Sequence, residues 1–412
     1  MGAPTLMTSR ERVVRALRFE QTDRAPRDLG AMRSTGISCF AYARLVEALG
    51  LPPRRPRVHD THQMLALPDL DVLDALGCDV VTIDGGVTNA YEEPGKWHDY
   101  DFGGRLPARV QRPETFEADG DGTVWQRQWS ICMPPSSYVF NADHSGQPVL
   151  GHDQELPLLD LKQYKRDLEA SALTDEQVSA AAEMCRLARE ATSRALFYAD
   201  HLNARIAITA HGGLGVFPVV CLLEPGYVHD LHGITIEHMA GEVRKLLPAI
   251  APYVDIVLSG GDDWGTQNSL ISSPATFRSL FLPYYRRHND EIHRIAPQVK
   301  TFLHSCGAVY DLLDMLVDAG FDIINPVQWP AGGHGYRAWK DRVRGRAALW
   351  GGGIDTQHTL GRGSVDDVAR EVREVTACLS DGGGYVFGNI HNLLAEVLPE
   401  QVIAMYASVG GG

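Results

Sequence analysis

From residue 174 onward, short apolar runs alternate with longer segments of helical period, and this rhythm constrains the chain more than any other feature. Runs of strand character occupy 205–210, 254–259, 299–304, 321–325, 347–351 and 385–387. Helical segments at 174–193, 236–249, 274–296, 308–319 and 364–380 precede and separate them. A parallel strand needs a crossover to re-enter its sheet on the same side, so buried β runs divided by amphipathic helices read as βα units. Two earlier extended runs, Pro26–Gly30 and Cys78–Ile83, bring the expected strands to eight. Eight such units within 412 residues predict an α/β chain folded as a (β/α)8 TIM barrel rather than an open sheet.

Before the rhythm begins, Thr8 and Glu11 have capping-box spacing, and Val13, Val14 and Leu17 follow at helical intervals. Residues 38–50 and 68–77 also read as helices, so an N-terminal helical segment precedes the barrel. Residues 91–150 have another texture, with alternating stretches such as Thr123-Val124-Trp125-Gln126 punctuated by Gly, Asp and Pro. They predict an inserted β-hairpin region, a rim or lid on one barrel domain spanning 1–412.

Charge and composition exclude several classes of function. The net charge of −14 argues against nucleic acid, whose phosphates require a basic surface. No apolar run approaches the roughly 20 residues of a membrane span, and Met1–Arg10 contains no signal-peptide apolar region. Leu6 stands where a myristoylation motif after Gly2 needs Ser or Thr. Seven scattered cysteines without a CxxC predict reduced thiols in a cytoplasmic protein. Gly212-Gly213-Leu214-Gly215 lacks the lysine of a phosphate loop, and Ser136-Ser137 lacks a nucleophile-elbow context.

Barrel enzymes carry their chemistry at the C-terminal ends of the strands. Five successive runs here deliver polar residues at that end: Asp262, Asp263, Trp264 and Gln267; His304 and Cys306; Gln328; Asp355; Asn389 and His391. Side chains at i and i+2 of a strand point the same way, so His304 and Cys306 form a pair of soft zinc ligands. The pair equally suits a histidine satisfied by a backbone carbonyl beside an inert thiol. From spacing alone, the third ligand could be Asp262, Asp263, Asp355 or His391. Cys39, Cys185, Cys221 and Cys378 read as core, and His59, Asp60, His62 and Gln63 as a surface loop.

At its strand ends and beyond, the chain resembles the uroporphyrinogen decarboxylase superfamily, most closely the branch of cobalamin-dependent methyltransferases and decarboxylase-like proteins. The resemblance rests on Thr8-Ser9-Arg10-Glu11-Arg12-Val13 through Asp23-Arg24-Ala25-Pro26, on Ser34-Thr35-Gly36-Ile37-Ser38 and on Gly261-Asp262-Asp263-Trp264-Gly265-Thr266-Gln267. It continues through His304-Ser305-Cys306-Gly307, Asn325-Pro326-Val327-Gln328, Trp350 to Gln357, and Gly383 to Asn392. Together these imply a (β/α)8 barrel. The methyltransferase branch implies Zn2+ on a His-x-Cys pair and a later cysteine. Here His304 and Cys306 match the pair, and His391 stands near the place of the missing cysteine.

The resulting expectation is metal-assisted methyl or alkyl transfer to or from a small molecule in the barrel mouth. Zn2+ is expected on His304, Cys306 and His391, with Asp262, Asp263 and Asp355 as catalytic acids. Gln328, Trp264, Gln267 and Asn389 are expected to bind substrate. With every strand committed to the barrel, the corrinoid, as methylcobalamin, is expected free or on a separate partner protein, and a homodimer is allowed for. The alternatives are a metal-independent decarboxylase of a carboxylated small molecule or tetrapyrrole, for which no Arg- and Gln-containing substrate motif stands around Arg27–Arg33, and a non-catalytic binding barrel.

Overall fold

A computed structural model describes residues 7–142 and 154–410; the stretch 143–150 of the expected rim, and the residues 2 and 6 weighed for myristoylation, lie outside it. Its main sheet has eight strands: β1 (Val80–Asp84), β2 (Val87–Thr88), β3 (Ala195–Tyr198), β4 (Ile256–Gly261), β5 (Lys300–His304), β6 (Ile323–Asn325), β7 (Ala348–Trp350) and β8 (Tyr385–Val386). Their order is β8-β7-β6-β5-β4-β3-β1-β2. Only the β1–β2 pair is antiparallel; its turn uses Gly85 and Gly86 at φ +63° and +66°, which a mirror-image hairpin turn demands.

Alternate strand residues face two different cores. Val80, Phe197, Ile256, Phe302, Trp350 and Val386 meet inside the curl of the sheet. Phe302 stands edge-on to Phe197 and Trp350, at ring separations of 4.8 and 5.5 Å. Their neighbours Val81, Leu196, Val257, Leu303, Leu349 and Tyr385 face the helices on the outside. Val13 and Leu17, from the helix Ser9–Leu17, join the inner core. A single cluster therefore holds residues of both β1 and β8, although six strands separate them or lie beyond β1.

Residues 26–28 connect these distant strands. The Asp28 N–H donates to Phe387 O and the Phe387 N–H to Pro26 O, both at 2.8 Å, while the Asp79 N–H donates to Arg27 O at 2.8 Å. Buried Asp79 also takes Arg12 Nη1 at 2.5 Å and Arg24 Nη1 at 2.7 Å, which ties the first helix to the same seam.

Two expected strands are absent: Pro26–Gly30 makes only an isolated parallel bridge, Arg27 to Phe387, and 205–210 makes none. Ala195–Tyr198 fills the place between β1 and β4. The amides of Ile208 and Thr209 donate to the Asp262 carboxylate, so the backbone there is satisfied by a side chain rather than by a sheet neighbour. The described part of the rim is antiparallel, with Pro107–Val110 pairing His98–Asp101 and a four-stranded sheet running from 117 to 142. Among the described residues, no helix is long and apolar enough to cross a membrane.

Candidate metal centre

On β5, Phe302 points into the inner core, and His304, two residues on, leaves the strand on the same side at the mouth. The chain then turns sharply. The Ser305 N–H donates to Asn325 O at 2.6 Å, and the Asp262 N–H to His304 O at 3.0 Å. The loops after β4 and β5 pack backbone against backbone, with the Gly265 N–H on Cys306 O at 3.2 Å. Gly307 has φ +89°, and a Cβ there would lie 2.1 Å from Gly265 O, so only glycine lets the two loops meet.

The His304 ring is held in one tautomer. Asn325 Nδ2 donates to Trp350 O at 3.1 Å, which turns Asn325 Oδ1 towards His304 Nδ1 at 2.8 Å. An amide oxygen can only accept, so Nδ1 carries the proton and Nε2 presents a lone pair. Ser34 Oγ also approaches Nδ1, at 2.9 Å. Nε2 faces Cys306 Sγ at 3.4 Å and Asp263 Oδ1 at 3.7 Å.

His391 follows β8 and brings a second imidazole to the same place, its ring 6.0 Å from that of His304. Asn389, fully buried, donates through Nδ2 to His391 O and so fixes the turn that carries it. One ligand atom each from His304, Cys306 and His391 lies within 4.8 Å of the others. Burial sets the protonation of the cluster. It lowers His304, against the pull of Asp263, and lowers His391 to about 4, with help from His304. Burial, then Asp263, pushes the Cys306 thiol up. The set is therefore two neutral imidazoles and a protonated thiol, whose proton must leave before sulfur can bind a cation.

The acids divide by position. Asp263 is at the cluster: Oδ1 accepts the Cys306 N–H at 2.9 Å and faces His304. Asp262 is turned away to Ile208 and Thr209, with Thr209 Oγ1 donating at 2.6 Å, and burial outweighs these bonds to raise it to about 6. Asp355 caps its own turn, accepting from Gln357 N and His358 N at 2.8 and 3.1 Å and contacting His358 Nδ1 at 2.9 Å; none of these bonds reaches the cluster.

The expected substrate residues also divide. Trp264 is fully buried and packs edge-on against Phe277 and Phe281, so the structure assigns it to the core and not to a substrate. Gln328 Oε1 accepts the Gly307 N–H at 2.7 Å and braces the Cys306 turn. Gln267 is exposed, pairs with Gln357 at 3.2 Å, and lends its carbonyl to the Gly332 N–H. Asn389 supports His391, as described.

Sequence reasoning overlooked Asn325 and Ser34 as site residues. The usable signal for Asn325 was register, since it pairs with His304 at the end of β6 and follows Ile323 by two. Nothing in the sequence links Ser34 to a residue 270 positions away. The supposed surface loop at 59–63 is also partly interior: His59 and Asp60 are buried. His59 Nε2 lies 3.3 Å from Asp84 Oδ2, and Arg33 grips Asp84 through two bonds of 2.7 and 3.0 Å. Burial pushes the Asp84 carboxyl up, but His59 and Arg33 together hold it well below the usual range.

Residues 220–411 match the model of the uroporphyrinogen decarboxylase (URO-D) family. The chain is similar in structure to a methyltransferase from Methanosarcina mazei, with a TM-score of 0.54 and 16% identity over 98% of each chain. At that identity the likeness speaks for the fold. Xylanase B from Clostridium stercorarium F9 matches at a TM-score of 0.35 and 8% identity, over 56% of this chain and 83% of that one, which is too weak to carry an argument. No curated protein matches the chain by sequence.

Proposed function

From the match of residues 220–411 to the uroporphyrinogen decarboxylase family, we propose that the chain is a zinc-dependent methyl- or alkyltransferase of that superfamily, with its reaction at His304, Cys306 and His391. The observation that carries this reading is the convergence of three ligand atoms within 4.8 Å at the ends of β5 and β8. We also read the seam formed by residues 26–28 as the closure of a (β/α)8 barrel, which makes those ends its catalytic face.

The donor set fits zinc. Two neutral imidazole nitrogens and a sulfur leave one tetrahedral position open, as catalytic sites require. Bound there, zinc would supply Lewis acidity that lowers the pKa of a substrate thiol, hydroxyl or water. The chain's own groups do the rest. Asn325 keeps His304 Nε2 unprotonated and aimed at the cluster. Gln328 and Gly307 hold the Cys306 turn. Asp263, 3.7 Å from Nε2 and half exposed, is placed to receive the proton of Cys306 or of an incoming acceptor. The donor class we propose is a corrinoid, free as methylcobalamin or on a separate protein. The competing reading, metal-free decarboxylation, draws on Arg33, whose side chain is 45% exposed while its guanidinium is bound to Asp84.

Metal analysis of protein purified without chelator tests the proposal, with about one equivalent of zinc expected in the wild type and a large loss in His391→Ala. Less than about 0.2 equivalents after zinc loading, for a site of this ligand class, would end it. Loss of the methyl–cobalt absorption of methylcobalamin with a thiol or phenol acceptor supports transfer, whereas carbon dioxide release without any effect of cobalamin supports the decarboxylase.

A further inference from the structure

A cavity of about 220 Å3 lies between the β-rim and the end of β1. Its floor is apolar, formed by Val58, Val110 and Phe116. Three other groups give it character. Trp129 stands at the lip and is 58% exposed, which leaves an indole face open to a ligand. Arg112 lines the cavity, and its guanidinium has neither a hydrogen bond nor an ion pair among the described residues. His59 lines it from the inner side, its side chain only 3% exposed and its Nε2 turned to Asp84 Oδ2 at 3.3 Å.

A guanidinium without a protein partner, an open indole face and an apolar floor around one small cavity together complement one kind of molecule. We propose that this cavity binds an aromatic carboxylate, its anion on Arg112, its ring against Trp129 and the apolar floor, and its inner edge towards His59. Guanidinium and carboxylate match as a two-pronged pair, and the indole and apolar floor reward a flat ring. The volume falls below the roughly 300–1,000 Å3 of sites for drug-sized ligands, which suits a single substituted benzene ring. The site stands independently of the metal. A relay of contacts still joins the two: Asp84 links His59 to Arg33, and the next residue, Ser34, contacts His304.

Calorimetric titration with benzoate tests the assignment, using benzamide and acetate as controls and zinc-free protein as a parallel sample. Saturable binding of one benzoate per chain is expected with or without zinc. Benzamide, acetate, Arg112→Gln and Trp129→Ala should each weaken it about tenfold or more, the scale of one lost charge-assisted or stacking contact. Arg112 and Trp129 are exposed, so both variants should fold, which circular dichroism verifies. No saturable binding up to about 10 mM, where even a weak single-ring ligand registers, would overturn the proposal. So would equal affinity for acetate or benzamide, or unchanged affinity in Arg112→Gln.

Discussion

At the scale of single residues, the proposed metal chemistry depends on which nitrogen of His304 holds a proton, and a neighbouring amide decides it. Asn325 is itself oriented by Trp350 O, so a backbone carbonyl of β7 reaches the site through two hydrogen bonds. Removing the amide in Asn325→Ala frees the ring to take the other tautomer. Zinc affinity, measured by competition with a chromophoric chelator, should fall about 10–100-fold, the usual effect of losing such a support, while the far-ultraviolet circular dichroism stays unchanged. An unchanged affinity would show that Ser34 alone orients the ring.

At the scale of elements, two loops fix the position of Cys306, and both rely on missing side chains. Gly307→Ala would place a Cβ 2.1 Å from Gly265 O and force the loops after β4 and β5 apart. Metal content and activity should therefore fall together, with stability reduced by about 1–3 kcal/mol, as for strain at a left-handed position, measured by urea unfolding. Full metal occupancy in that variant would contradict the tight packing assigned to these turns. Most strands could be read from sequence because hydrophobic period and length report burial directly: β4 to β8 fall within or beside their expected runs. The error at 205–210 has a physical cause. Arg205-Ile206-Ala207-Ile208-Thr209 alternates like a strand, but the carboxylate of Asp262 captures its amides, a long-range contact that local pattern does not encode. The same limit separates Asp263 from Asp262. They are adjacent acids with equal claims in sequence, but the turn sends one to the cluster and the other to a neighbouring loop.

At the scale of the molecule, the seam at residues 26–28 sets both stability and its dependence on pH. Asp28 is wholly buried, accepts from Trp350 Nε1 at 2.7 Å and from the Ala31 N–H at 2.9 Å, and is raised to about 6 by burial, which these bonds only partly offset. A folded-state pKa above the unfolded value means that the native state holds the proton more tightly. The resulting stabilisation is complete below about pH 4 and lost as pH rises through about 6. The stability of wild type relative to Asp28→Asn, measured by urea unfolding, should therefore fall by about 2 kcal/mol from pH 4 to pH 7. A difference that is flat across that range would show the carboxyl to be charged throughout.

The seam also imposes an order of events during synthesis. The segment at residues 26–28 leaves the ribosome early, but its partner Phe387 comes roughly 360 residues later, a wait of roughly 20–70 s at ordinary translation rates. Throughout that interval the growing sheet has an open edge, with amides and carbonyls able to pair with another chain. With the barrel closed as proposed, the last strand both covers that edge and delivers His391, so one late step would close the sheet and bring the three ligand atoms together.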